Sequence, residues 1–545
     1  MAGSAGAGSR DRPRTGHADV CRVVVAVKPL LHMGEALTLN AAQYPDKPGA
    51  RDLSRAMTFG QWDERACRLA NALLGLGLRK GDRIVVLAYN CVEWMEIYAG
   101  TAKAGLVMVP LNFRLLGSDI RYIVDDSEAI AFIVQNDLVD CVDGIRADLA
   151  VPDGRYIHFG ADTTPAGYRS YEELIAAGST RDPGVPVAPE DTWAFMYTSG
   201  TTGRPKGAMR SHGGMALHNL AVLTNFEFSR HDTCLLVMPM CHANSLIFAS
   251  AFAYAGASSC VYDAHSFDPE QLLRTMAQQR ATFTSLVPTH YIMMLALSQS
   301  VRAGYDVDCV RRLLISSAPA RKDTKLAIMD YFKNSQLFEI YGSTEQGFAT
   351  ILRPEEQLSK LGSIGREFIG CSRMRLLDED GDDVDEGEVG EIYSHTPWCF
   401  ESYWKLPEKT AEAFRGTHLS VGDMGRRDED GFYYLVDRKN NMIISGGLNI
   451  YPSEVENLLG AHADVQDVAV IGKPDAKWGE SVHGVIVLRD GAEATEQQII
   501  AWCTGRIADY KRPRSVEFIH DLDMPRTATG KIVHRVLRDR LARKG

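Results

Sequence analysis

Helical and extended apolar patterns alternate along this 545-residue chain, and the alternation restricts its fold more than any other feature. Trp62, Ala66, Leu69, Ala70, Leu73 and Leu74 recur at helical spacing. GLGLRKGD then stops that helix, and Arg83-Ile84-Val85-Val86-Leu87 reads as a strand. The order repeats through a helix over 94–104 into a strand over 106–110, and through 120–125 into 129–134. Strands without a polar face must be covered on both sides, which predicts parallel sheets between helices. Residues 272–340 show the same pattern, with strands at 283–287, 312–316 and 336–340, so the expected fold is α/β with two doubly wound sheets. Beyond about residue 365 the segments shorten, and turn signals such as Asp378-Glu379-Asp380-Gly381 and Asp428-Glu429-Asp430-Gly431 predict a small β-barrel-like unit. From Lys439 on the chain is close to neutral, whereas the whole carries a formal charge of −11, which marks off a smaller α+β C-terminal domain. The expected division is a disordered tail over 1–34, an N-terminal domain over 35–439 and a C-terminal domain over 440–545.

The charge balance and the lack of a strongly basic block argue against a nucleic-acid binder that relies on neutralising phosphates. The most apolar stretch, 246–261, is short and diluted by Ser, Gly and Ala, so no integral membrane segment is expected. Eleven cysteines, odd in number and without a C-x-x-C pair, fit free thiols in a reducing, cytoplasmic setting. The first thirty residues are rich in Gly, Ala, Ser and Arg, but Asp11 and Asp19 interrupt a transit-peptide composition. A targeting segment and a start-site extension both remain open for them.

One segment carries phosphate chemistry. Thr198, Ser199, Gly200, Thr201, Thr202, Gly203 and Lys206 lie within nine residues after an apolar strand. Glycines let backbone N–H groups approach phosphate oxygens, hydroxyls add donors, and the lysine adds charge. A flexible surface turn is the bland alternative. A Walker A loop is excluded, because Pro205 and Gly207 stand where Gly and Ser/Thr are needed.

The run YTSGTTGRPKGAM resembles the phosphate-loop signature of the adenylate-forming (AMP-binding) superfamily, and the chain resembles its acyl-CoA synthetase branch. Further segments follow in the family's order: Tyr341-Gly342-Ser343-Thr344-Glu345, Ser420-Val421-Gly422-Asp423, Asp437-Arg438, Ile443 through Pro452, and Pro525 through Ile532. The resemblance spans about residues 35–540.

It implies ATP-dependent activation of a small-molecule carboxylic acid as acyl-adenylate, then transfer to CoA as co-substrate. Thr198, Ser199, Thr201, Thr202 and Lys206 would hold the terminal phosphates, with Gly200 and Gly203 shaping their loop. Thr344 and Glu345 would face the α-phosphate and Mg²⁺, a hard cation that shares its shell with phosphates. Standing alone, YGSTE would carry only a solvated carboxylate. Asp423 and Arg438 would contact ribose; a turn-capping Asp and a surface ion pair are their bland counterparts. Ser317, Ala318, Pro319, Glu339, Tyr341 and Gly342 would border the adenine. Lys531 would be the adenylation lysine, a flexible point charge suited to a developing phosphate charge.

The branch further implies a mobile C-terminal domain that turns after adenylation about a hinge at Asn440, where relatives often carry Lys or Asp. The turn would bring Gly446 and Gly447 to the CoA passage, with Trp478 either stacking on CoA or serving as a half-buried structural aromatic. The acyl pocket would draw on His242, Asn244, Ser245, Ile247, Thr289, Ser343, Gln346, Gly347 and Phe348. His242 stands where amino-acid activators carry an amine-binding Asp, so an apolar acid (fatty, alicyclic or aryl) is expected instead. A carrier-protein pantetheine acceptor and a non-catalytic nucleotide or acyl-CoA binder are the alternatives. A homodimer is compatible with the resemblance.

Overall fold

The computed structural model describes residues 1, 3, 31–198, 204–317, 320–526 and 532–544. The first helix, Met33–Gln43, opens on a capping box. His32 Nδ1 accepts from the N–H groups of Gly34 (3.1 Å) and Glu35 (3.4 Å), and Glu35 Oε2 accepts from the His32 N–H at 3.1 Å. Met33 and Gly34, expected within the tail, are therefore buried residues of an ordered helix.

The expected doubly wound sheets both form. A seven-stranded sheet has Arg83–Leu87 at its centre, parallel to Val107–Leu111 on one side and Ala131–Gln135 on the other. At one edge Thr192–Thr198 turns back antiparallel into Lys206–Ser211, pairing Thr198 with Lys206. The phosphate segment is thus the connection of a β-hairpin, whereas a Walker loop joins a strand to a helix. A nine-stranded sheet carries Phe283–Leu286, Arg312–Ile315 and Gln336–Ser343 as parallel neighbours. Gln336–Ser343 then reverses into Gly347–Leu352, so Thr344, Glu345 and Gln346 form a tight turn at the end of that sheet.

Helices Phe59–Gly75, Glu93–Ala104, His212–Phe226 and Ala243–Ala255 supply the apolar core shared by the two sheets, built on Trp62, Trp94, Tyr98, Trp193, Phe226 and Phe248. The apolar stretch at 246–261 divides into the buried helix Ala243–Ala255 and the buried strand Ser258–Val261. No described helix is long and apolar enough to cross a membrane. The described cysteines are free thiols, most of them buried.

The β unit consists of Arg375–Leu377, Gly390–Tyr393, Asp423–Arg427 and Tyr433–Arg438 in an open antiparallel sheet that does not close into a barrel. A further sheet gathers the C-terminal residues: the long pair Val465–Asp475 and Gly479–Leu488, the hairpin Ile443–Ser445 with Leu448–Ile450, and Ser515–Phe518. Its own core includes Ile443, Val455, Leu459, Ile486 and Ile499.

Candidate active site

The strand ends at Thr198 and Lys206 meet the Thr344–Gln346 turn. Glu345 is only 7% exposed, and its Oε1 accepts from the hydroxyls of Tyr403 (2.8 Å) and Thr198 (3.4 Å). Lys206 Nζ lies 3.9 Å from the centre of the Tyr403 ring. Burial pulls its ammonium below the ordinary lysine value, and the Glu345 carboxylate opposes that shift. The turn itself is held from behind: buried Arg210 donates from Nη1 to the carbonyls of Thr344 (2.9 Å) and Glu345 (3.4 Å), and the Phe400 N–H donates to the Glu345 carbonyl at 2.7 Å. Desolvation of Arg210 is opposed by the carboxylates of Glu401 and Glu345.

A second cluster forms at the edge of the β unit. Asp423 pairs in register with Arg438, Arg438 Nε donates to Asp423 Oδ1 at 3.1 Å, and the Tyr341 hydroxyl donates to Oδ2 at 2.9 Å. Burial, then the neighbouring Asp423 charge, push the Tyr341 phenol well above its usual range, so it remains a donor. Glu339 is committed elsewhere: its carboxylate meets Lys325 Nζ, from helix Lys322–Tyr331, at 2.8 Å inside the core. Ser317 is exposed and holds a left-handed backbone, φ 68°.

The acyl-pocket candidates divide. Asn244 Nδ2 donates to Ser285 Oγ at 3.0 Å, and Ser285 Oγ is 3.2 Å from Ser316 Oγ. His242 Nε2 is buried without a hydrogen-bond partner among the described residues, and burial lowers its pKa to about 4. Gly347 has φ 69°, and a Cβ there would stand 2.5 Å from Trp398 Cδ1 and 2.9 Å from His218 Cε1. Phe348 packs edge-on against His218 and near Phe248. Ser343 Oγ accepts from the Gln346 N–H at 3.0 Å and so shapes the turn; buried Gln346 accepts at its carbonyl from Thr396 Oγ1 at 2.6 Å. Ser245 is spent on the Met238 carbonyl, Ile247 belongs to the main core, and Thr289 is exposed.

The sequence reading missed Arg210, His218, Trp398 and Tyr403. His218 stacks on Trp398 with centroids 5.1 Å apart and planes 1° from parallel. Its Nε2 accepts from the Phe348 N–H at 3.3 Å; burial, then Arg210, hold it well below the ordinary histidine range and hence neutral. Only the spacing of GAMRSH behind Lys206 was available as a signal for Arg210, and none for the others.

In the C-terminal part, Gly446 and Gly447 sit at the tip of the Ile443–Ser445/Leu448–Ile450 hairpin with φ of 59° and 79°. The Gly446 N–H donates to the Trp478 carbonyl at 2.8 Å, and a Cβ on Gly446 would lie 2.9 Å from the indole, which is itself 42% exposed. Asn440 lies in the short turn Lys439–Asn441; its carbonyl accepts from Arg538 Nη1 at 2.8 Å, while Lys439 Nζ meets Glu391 at 2.9 Å. Ser199 through Gly203, Ala318, Pro319 and Lys531 lie outside the described residues.

Glu345 Oε1 is engaged, which leaves Oε2 and the Thr344 hydroxyl as hard donors. Among the described residues no group of three or more His, Cys, Asp or Glu assembles as a metal cage. That donor set fits Mg²⁺ arriving with a nucleotide, since this ion keeps few protein ligands beside phosphate and water.

Residues 37–404 match the family described as AMP-binding enzyme, and 454–531 match the AMP-binding enzyme C-terminal domain. The chain is 33% identical to an indoleacetate–CoA ligase of Aromatoleum aromaticum, over 94% of this chain and 99% of that protein. A Mycobacterium tuberculosis fatty acyl CoA synthetase structure superimposes with a TM-score of 0.75 at 31% identity, over 94% of this chain and 99% of the other. An anthranilate CoA ligase bound to anthranoyl-AMP superimposes with a TM-score of 0.85 at 28% identity, over 94% and 98%. With two matched domains in order and relatives aligned end to end, the chain belongs to the AMP-binding enzyme family, in its acyl-CoA synthetase branch.

Proposed function

We propose that this chain, an AMP-forming acid–thiol ligase, joins an apolar carboxylic acid to coenzyme A through an acyl-adenylate. The observation that carries the reading is the meeting of Thr198, Lys206 and Glu345 at the ends of two sheets, with the Asp423–Arg438 pair on the adjoining β unit and Tyr341 reaching it from the larger sheet. A carboxylate oxygen attacks the α-phosphorus of ATP and the bond to pyrophosphate breaks; such a step depends on placement and on stabilising developing charge. Asp423 offers two acceptor oxygens to the ribose hydroxyls, and Lys206 offers charge to the terminal phosphates. Mg²⁺, held by Glu345 with Thr344, would supply Lewis-acid charge at the phosphates. Lys531 would neutralise charge at the α-phosphate during this step alone.

In the second step the CoA sulfur bonds to the acyl carbon and AMP departs, the thiol proton passing to solvent. The Gly446-Gly447 tip, lacking side chains, would admit the pantetheine arm once the C-terminal residues turn about Asn440. An apolar acid is supported by Phe348, Gly347 and the His218–Trp398 stack, which would line its side, and by the lack of a carboxylate at His242 to pair with an ammonium. The relatives' substrates include both aryl and fatty acids.

Pyrophosphate and AMP release with a panel of indoleacetate, benzoate, medium and long fatty acids and amino acids tests the reading. Release with apolar acids, AMP formation rising with CoA, is the expected result. Release confined to amino acids would overturn the substrate class, and acyl transfer to a carrier protein but not CoA would overturn the acceptor.

A further inference from the structure

Tyr403 stands between the two charged groups that the adenylation step needs, although nothing in its own stretch of sequence announces it. Residues 402–404 run antiparallel beside Gly207–Met209: Met209 N–H donates to the Ser402 carbonyl at 3.0 Å, Trp404 N–H to the Gly207 carbonyl at 2.8 Å, and Tyr403 forms a single β-bridge with Ala208. At the other end of this segment, the Phe400 N–H donates to the Glu345 carbonyl at 2.7 Å. The segment therefore ties the lysine strand to the Glu345 turn, and Tyr403 projects where the two meet. Its side chain is only 5% exposed and packs edge-on against Phe400 at 4.7 Å.

The two ends of the phenol contact different partners. The hydroxyl donates to Glu345 Oε1 at 2.8 Å, and the ring face lies under Lys206 Nζ at 3.9 Å. A carboxylate held by one oxygen presents the other in a fixed direction, and an ammonium over a π face is attracted without a competing hydrogen bond. Had the lysine been paired directly with Glu345, both groups would have to be separated before either could serve nucleotide. Here each is placed by the same aromatic residue, with no direct ion pair between the two among the described contacts.

We propose that Tyr403 is a positioning residue for adenylation: its hydroxyl orients Glu345 so that Oε2 faces the cation, and its ring holds the Lys206 ammonium ready for the terminal phosphates. The proposal rests on Glu345 being the cation-binding carboxylate.

Calorimetric binding of ATP, without acid and with either Mg²⁺ or EDTA, separates the two roles. Tyr403→Phe keeps the ring and loses the hydroxyl. It should leave the EDTA affinity within twofold of the parent and shrink the Mg²⁺-dependent gain by about tenfold, the scale of one hydrogen bond to a charged group. Tyr403→Met keeps much of the volume and loses both contacts, so its EDTA affinity should also fall, by roughly three- to tenfold for a lost cation–π contact. Conversion of supplied acyl-AMP and CoA to thioester should stay within twofold in Tyr403→Phe. An undiminished Mg²⁺ gain in Tyr403→Phe overturns the proposal, as does a proportional loss of both affinities and of the thioester step, which would mark a purely structural tyrosine. Glu345→Gln in the same titration distinguishes the levels. If it retains the full Mg²⁺ gain, the assignment of Glu345 fails and takes the proposal with it; if it loses the gain while Tyr403→Phe does not, Tyr403 alone is refuted.

Discussion

Asp423 and Arg438 face each other across an antiparallel pair of strands, and the Arg438 Nε to Asp423 Oδ1 contact is 3.1 Å. Because the register fixes both residues, the carboxylate that would take the ribose hydroxyls is already oriented before nucleotide arrives. Tyr341 completes the hold from the neighbouring sheet at 2.9 Å.

Replacing Asp423 by Ala should therefore raise the ATP KM by roughly ten- to a hundredfold, about 1.5–3 kcal/mol for a charged hydrogen-bond partner. The KM for the acid should move far less. Steady-state kinetics with each substrate varied in turn checks this, and an unchanged ATP dependence would remove Asp423 from the nucleotide site.

The two half-reactions should respond to different residues. Lys531→Ala should slow acyl-AMP formation by roughly 10² or more, the scale of one lost preorganised electrostatic donor, and largely spare conversion of supplied acyl-AMP. Gly447→Leu should do the reverse. A Cβ on Gly447 meets nothing within 4 Å, but its φ of 79° strains any side chain, so thermal melting must accompany the rates. Equal damage to both steps in both variants would contradict domain alternation.

Packing is tight at Gly347, one of the acyl-pocket candidates. Ala at this position would place its Cβ 2.5 Å from Trp398 Cδ1 and hold φ at 69°, costing about 2–4 kcal/mol from overpacking and strain together. Gly347→Ala should lower the melting temperature and raise the acid KM more than the ATP KM. A variant that melts like the parent would show that Trp398 and His218 yield without cost.

Acid sensitivity should come in part from His242. Its pKa is lowered to about 4 by burial, so between pH 6.5 and 4 the unfolded chain binds a proton that the folded one refuses. Stability consequently falls as pH drops through that window and levels off below it. A depression of this size corresponds to about 3 kcal/mol at most. His242→Gln should shrink the difference between urea midpoints at pH 7 and pH 4.5, and an unaltered difference would mean that His242 gains its proton readily in the folded state.

Truncation should distinguish the N-terminal residues. A chain beginning at Leu31 keeps the His32 cap, whereas one beginning at Glu35 loses it together with buried Met33. The longer chain should melt like the parent and the shorter should lose about 1–2 kcal/mol or more. Equal melting of the two would show that the cap contributes nothing.

The sequence by itself determined the two doubly wound sheets and supplied, in short motifs, the residue types of the candidate nucleotide site. Apolar periodicity is a local property, and the glycine, hydroxyl, carboxylate and lysine types required by phosphate chemistry sit in short contiguous motifs around Lys206, Glu345 and Asp423. Only the tertiary structure decided what holds those groups. Tyr403 is 58 residues from Glu345, Arg210 is 134 from Thr344, and His218 is 130 from Phe348. Each pairing exists because segments far apart in the chain become neighbours, a matter of tertiary packing that no local pattern encodes. The same reason paired the Glu339 carboxylate with Lys325 of another element, and left the expected barrel-like unit an open four-stranded sheet. Strand length and turn residues are local, whereas closure depends on the stagger between first and last strands, which is fixed only when the whole unit packs.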